Sequence, residues 1–131
     1  MATGKGTKFI ELKEIYDTLH GPRGCAWDKA QTYKSLIPHF KEEVEELIRA
    51  VRAGDYSHMQ EELGDVLLNI MFFSKLAQKE GRFDVEDVIE GLIKKLKRRH
   101  PHVFAGRKVK SVRQIIVNWN KIKAREKKVM R

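Results

Sequence analysis

KEEVEEL (residues 41–47) and EELGDVL (residues 61–67) carry the same acidic spacing in the same apolar frame: Glu43 and Glu46 stand three apart, and so do Glu62 and Asp65. On a helix, residues at i and i+3 lie about 60° apart around the axis and about one turn along it, so each pair sets two carboxylates on one face. Counting from Glu43, apolar residues fall at +1, +4, +5 and +8 (Val44, Leu47, Ile48, Val51), and counting from Glu62 the same series returns Leu63, Val66, Leu67 and Ile70. Packing of these two stripes places both acidic pairs along neighbouring edges of one seam. Four carboxylates converging there are costly unless a cation neutralises them, and an all-oxygen set suits a hard ion, Mg²⁺ or Mn²⁺. One Glu-x-x-Glu reads as a solvated helix flank; two matched pairs in matched frames read as a metal site. Di-iron bundles add a Glu-x-x-His on each of two helices, a spacing this chain lacks.

The chain has 131 residues, 41% hydrophobic and 34% charged, which suits one soluble helical domain with a genuine core. There is no secretory segment or apolar run of membrane-spanning length, and the lone Cys25 has no partner for an internal disulfide. The expectation is a cytoplasmic protein with no membrane partner. The net charge of +9 belongs to the tail, because residues 107–131 hold 10 basic residues and 1 acidic one, while residues 1–106 balance at 17 and 17. Such a tail suits nucleic acid, or it draws a polyanionic small molecule toward the metal.

A first helix is expected from about Lys8 to His20, with Phe9, Leu12, Tyr16 and Leu19 at three- and four-residue steps. Residues 21–32 have turn formers and no helical period, and read as a loop anchored by Trp27. A second helix is expected from Pro38 to Ala53, after a short turn at Tyr33 to Leu36. A third should start at a capping box on Ser57 and run to about Glu80. Asp84 caps a fourth helix that ends near Arg99, before a HPHVFAG loop, and Ser111 opens a last helix that passes Trp119. No strand signal competes. In the third helix Leu67, Leu68, Ile70, Met71, Phe72 and Phe73 project almost all the way round the axis, and a helix apolar all round must be covered all round. The fold class is therefore all-α, a bundle of four to five helices completed by homo-oligomerisation as a dimer or higher.

Four blocks in order, CAWDKAQT (25–32), EEVEE with ELGD (42–65), EGRFDVEDV with KLKRRHPHVF (80–104) and NWNKIKARE (118–126), resemble the MazG-type nucleoside triphosphate pyrophosphohydrolases of the all-α NTP pyrophosphatase superfamily. The resemblance implies one MazG-like domain over residues 1–131, with a core of about 8–106 and a basic helix and tail of about 107–131. It implies cleavage of a nucleoside triphosphate between its α- and β-phosphates, with Mg²⁺ required. Glu43, Glu46, Glu62 and Asp65 then correspond to the catalytic metal ligands, Lys95 and Arg99 to phosphate-contacting cations, and Trp119 and Lys123 to residues that close over the nucleotide. Trp27 and Lys29 of the first block join the candidate substrate contacts. The block usually written Cys-Pro-Trp-Asp reads Cys25-Ala26-Trp27-Asp28 here, which loosens the loop and keeps its Trp and Asp.

Several of these residues have competing structural readings. Glu42, about 40° from Glu46 around the helix, suits support of a ligating carboxylate, solvent exposure, or orienting or deprotonating a water. Asn69, one turn after Asp65, suits a ligated carboxylate, the nucleotide or an interior amide. Cations at a helix C-terminus satisfy its dipole, which competes for Lys95 and Arg99. Trp119 shares an apolar stripe with Ile115, Ile116 and Ile122, so a core role competes with base stacking. His100 and His102 read as structural loop residues, and the five histidines show no metal-ligand spacing. The alternative function is a nucleic-acid-associated module whose tail binds phosphates and whose acidic cluster holds a structural metal. A third reading, a phosphoribosyl-ATP pyrophosphatase, shares the metal chemistry but lacks the RRHPHVF and WNKIK blocks.

Overall fold

The computed structural model describes residues 6 to 130, which contain helices and turns and no strand. Seven helical elements follow in order: α1 (Lys8–Leu19), α2 (Ala26–Ala30), α3 (Tyr33–Ala53), α4 (Tyr56–Lys79), α5 (Val85–Arg99), α6 (Pro101–Phe104) and α7 (Val112–Met130). The all-α class stands, with five long helices and two short ones that were expected to be loop. The chain divides into two compact units at Arg82 and Phe83.

In the first unit α3 and α4 pack along each other as an antiparallel hairpin closed by two residues. Gly54 ends α3 in the left-handed conformation (φ 65°), where its N–H reaches the carbonyls of Ala50 and Val51. Asp55 then starts α4, its carboxylate accepting from the His58 N–H at 3.1 Å. This displaces the expected Ser57 cap: with α3 closed at Gly54, the nearer side-chain acceptor takes the free N–H first. The start of α3 also differs from expectation. Thr32 and Ser35 form a reciprocal capping box that opens α3 at Tyr33, five residues before Pro38, so Pro38 lies inside α3.

Tyr16 of α1 packs edge-on against Phe72 of α4, with ring centroids 5.2 Å apart, and Lys75 of α4 bonds Asp17 at 2.8 Å. Trp27 approaches the same Phe72 at 6.0 Å and His39 at 5.6 Å, which anchors the α2 segment. Gly24 allows the tight return before α2, since a Cβ there would collide with the Leu19 carbonyl. Leu36, Ala50, Met71, Phe72 and Ala77 fill the interior. The apolar stripes expected to bury each other are only half covered: Ile48, Val51, Leu63, Leu67 and Ile70 each keep more than a third of their surface exposed. The acidic edge, with Glu62 and Asn69, is the buried part of the seam.

In the second unit Asp84 and Asp87 form a capping box that opens α5, and Ser111 caps α7 through the Gln114 N–H at 3.2 Å. The Gln114 side chain in turn accepts from the Lys110 N–H at 2.8 Å. Helices α5 and α7 are tied by Glu126, which accepts from Arg98 at 2.7 Å and from Arg99 at 2.8 Å. The Arg99 guanidinium also lies 5.5 Å from the Trp119 ring centre, and His100 meets that ring edge-on at 4.9 Å.

The Arg99 and Arg98 hydrogen bonds hold the Glu126 carboxyl down to about 2, below its ordinary 4.5. A depressed carboxylate stabilises the fold above its unfolded value and loses that contribution as pH falls through the folded one. Glu126→Gln should therefore melt below wild type at pH 7, with the gap closing as pH falls from 4.5 toward about 2. Melting curves across that window check this, and a gap that persists at the acid end counts against it.

Candidate metal centre

The antiparallel register of α3 and α4 brings the two acidic pairs face to face. One oxygen each from Glu43, Glu62 and Asp65 lie within 4.8 Å of one another, and a second set formed by Glu46, His58 and Glu62 meets the same limit. Glu62 belongs to both sets and is the most enclosed, with 4% of its surface exposed. Glu42, Glu45 and Glu61 are exposed.

The electrostatics express the crowding. Glu43 is pushed up to about 7, first by the closeness of the Glu62 carboxylate, then by burial and the negative charge of Asp65, Glu62 and Glu46. Glu46 is raised mainly by the same Glu62 carboxylate. Glu62 is lowered, because protons on Glu43, Glu46 and His58 favour its charged form. Glu62 thus stays ionised while its neighbours compete for protons. Oε2 of Glu43 and Oε2 of Glu62 are buried without a hydrogen-bond partner. Buried carboxylate oxygens with no donor are costly, and an oxygen-rich cluster around them fits a hard divalent cation. The residues fit the metal.

His58, which was not singled out from the sequence, joins the cluster. Its Nε2 lies 3.1 Å from Glu62 Oε1. The signal was the i, i+4 step from His58 to Glu62, which puts both on one helix face; a search restricted to Glu-x-x-His passes over it.

The other candidates fall in both units. Trp27 and Asn69 line a cavity of about 100 Å³ together with Glu43, Asp65, His39 and Phe72, so the first unit brings these two to the carboxylates. His39 was not singled out from the sequence. The Asn69 amide nitrogen bonds the Asp65 carbonyl at 2.9 Å, which fixes the side chain against its own helix. Trp27 is 51% exposed. Lys29 bonds the Gly21 carbonyl at 3.2 Å and so braces the turn before α2. Lys95, Arg99, Trp119 and Lys123 belong to the second unit, where Lys95 and Lys123 are exposed and Arg99 is bonded to Glu126. A cavity of about 540 Å³ in that unit, lined by Arg98, Arg107, Arg125 and Glu126 among others, includes none of these four.

Comparison with known proteins adds independent evidence. The model of the MazG nucleotide pyrophosphohydrolase domain matches residues 31–104. The chain is 47% identical over 122 residues to the Thermotoga maritima nucleoside triphosphate pyrophosphohydrolase/pyrophosphatase MazG, covering 93% of this chain and 46% of that protein. It is 38% identical over 117 residues to the Escherichia coli K12 nucleoside triphosphate pyrophosphohydrolase (88% and 44%), and 44% identical over 120 residues to Bacillus subtilis YabN (92% and 24%). The chain thus spans from about a quarter to about half the length of these curated relatives. A crystal structure of a MazG-related protein from Thermotoga maritima superposes with a TM-score of 0.70 at 26% identity, over 89% of this chain and 97% of that one. Because the matched segment runs without a break through the whole acidic hairpin and on to the end of α6, the chain belongs to the MazG nucleotide pyrophosphohydrolase domain family.

Proposed function

We propose that this protein is a Mg²⁺-dependent nucleoside triphosphate pyrophosphohydrolase that releases the monophosphate and pyrophosphate. The observation that carries this reading is the convergence of Glu43, Glu62 and Asp65, two of them with buried unpartnered oxygens, inside the segment that matches the family. The names of the curated relatives support the reaction class. Glu43, Glu46, Glu62 and Asp65 would hold the ion, with Mn²⁺ as a substitute. When bound, a divalent ion neutralises phosphate charge and makes a water more acidic.

Phosphoanhydride hydrolysis asks for charge neutralisation and alignment more than for a covalent nucleophile, and no nucleophile is needed from the chain. Asn69 and Trp27 border the carboxylates and are the proposed contacts for the nucleotide in the first unit, with Lys29 bracing the turn that carries Trp27. Lys95 and Arg99 are the proposed phosphate contacts, and Trp119 and Lys123 the proposed nucleotide-closing residues. The proposed domain takes in both units; Arg131 and residues 1–5 lie outside the described residues.

Incubation with a panel of nucleoside triphosphates and Mg²⁺, followed by product separation, tests the reaction. Monophosphate and pyrophosphate are expected, with no turnover in chelator and poor turnover in Ca²⁺, which is larger and less demanding in geometry. Diphosphate and orthophosphate as first products would rule the reading out.

We also propose that the active species is a homo-oligomer, at least a dimer, because Leu63, Leu67, Leu68 and Ile70 of α4 and Ile48 and Val51 of α3 remain more than a third exposed. Sedimentation should return at least twice the 15.3 kDa chain mass, whereas an active monomer at nanomolar concentration would refute it. No helix among the described residues is long and apolar enough to cross a membrane.

A further inference from the structure

We propose that His58 is a positioning residue of the metal centre: its imidazole holds Oε1 of Glu62, so that Oε2 is the oxygen directed to the cation. The inference rests on the metal reading of the carboxylates given above. Two observations divide the work of the Glu62 oxygens. Oε1 lies 3.1 Å from His58 Nε2, and Oε2 is buried with no partner. A carboxylate whose oxygens were both free would swivel about its last torsion and share itself among the cluster. Tying one oxygen fixes which face the other presents.

The placement suits that task. His58 sits one turn before Glu62 on α4, and its side chain is 42% exposed against 5% for Glu62, so it approaches from the rim and reaches inward. Its Nε2 and the Glu46 carboxylate share the same cluster around Glu62, which links the positioning contact to the second acidic pair. The capping bond to Asp55 uses the His58 backbone N–H, leaving the ring free of any duty in starting the helix. To act in this way the ring must carry a proton on Nε2, since an ionised carboxylate only accepts. A direct ligand would instead turn an Nε2 lone pair to the ion and give up the bond to Oε1. The two roles therefore differ in whether an imidazole nitrogen is bonded to the ion, and only a positioning role is served by any side chain that donates an N–H to Oε1.

Mn²⁺ binding to the metal-free protein, read by calorimetry and by the loss of the free-ion EPR signal, separates them across wild type, His58→Ala, His58→Gln and Glu62→Gln. His58→Ala should weaken binding roughly 10–100-fold, the usual cost of removing a residue that holds a metal ligand in place. His58→Gln should restore most of it through its amide N–H, and circular dichroism and melting of the metal-free variants should match wild type. An affinity for His58→Ala equal to wild type overturns the proposal. So does a His58→Gln as weak as His58→Ala, and so does nitrogen hyperfine coupling from the imidazole in the EPR signal of Mn²⁺ bound to wild type, the result expected of a direct nitrogen ligand. If wild type itself binds Mn²⁺ no better than Glu62→Gln, the metal reading fails and the positioning role falls with it, an outcome recognised by the failure of the wild type rather than of the variant.

Discussion

Glu62→Gln is expected to lower turnover by on the order of a hundredfold or more while leaving the fold intact, because a lost ligand removes charge stabilisation that the transition state needs. Glu62 is chosen because it alone belongs to both carboxylate sets and is the most enclosed of the four. Glu43→Gln and Asp65→Asn should fall in the same range, and Glu45→Gln, on the exposed face of α3, should do little. The discriminating measurement is stability in chelator. A structural carboxylate melts lower when replaced, yet the cluster is a concentration of like charge, with Glu43 pushed up to about 7 by its neighbours. Glu43→Gln removes one of the crowded charges, so the metal-free variant should melt at or above wild type at pH 8. Loss of activity together with a marked loss of metal-free stability in all three variants would place these residues in the fold rather than in the chemistry. Equal losses from Glu45→Gln would defeat the paired-face argument altogether.

The hairpin was legible because two independent periodicities agreed. The i, i+3 acids and the apolar series around Val44 and Val66 both demanded helix, and both demanded that the helices face each other. What the pattern could not say was which side of the stripe would be buried. The apolar residues at Ile48, Val51, Leu63 and Ile70 stay partly open, while Glu62 and Asn69 go inside. Hydrophobicity ranks residues by their cost in water, and a chain departs from that ranking where it functions. Helix starts were missed for a local reason. Ser57, Thr32 and Asp55 are all competent caps, and the choice among them depends on where the preceding helix stops, which Gly54 decides for α4. The short α2 and α6 elements, five and four residues long, carry too few periods to register. Arg99 shows the limit for site residues. Its role as a phosphate contact is implied only by the family resemblance, and its partner Glu126 lies 27 residues away in sequence, so no local pattern announces that pair.

The C-terminal helix supplies the second large effect, and its test separates substrate contact from packing and from nucleic-acid binding. Removing Lys127–Arg131 deletes three cations beyond the NWNKIKARE block and should leave NTP hydrolysis nearly unchanged, while any salt-sensitive nucleic-acid binding weakens. Trp119→Ala and Lys123→Ala should instead lower kcat/KM by roughly tenfold or more, the signature of lost substrate or transition-state contact. Lys123 is exposed and carries no packing burden, so its variant should lose activity with an unchanged melting temperature. Trp119 is different, since Arg99 stacks on its ring and His100 meets its edge. A half-buried Trp replaced by Ala also forfeits packing, up to about 3–5 kcal/mol for a fully buried one, so Trp119→Ala should lose both stability and activity. Glu126→Gln supplies the control, because it releases Arg98 and Arg99 from their shared carboxylate without touching Trp119. If Glu126→Gln melts lower yet hydrolyses NTP at the wild-type rate at 25 °C, loss of the α5–α7 clamp alone does not account for an inactive Trp119→Ala, and the ring belongs to the nucleotide. If Lys123→Ala is fully active and the five-residue truncation abolishes hydrolysis, the nucleotide-closing role moves from the NWNKIKARE block to the basic end of the chain.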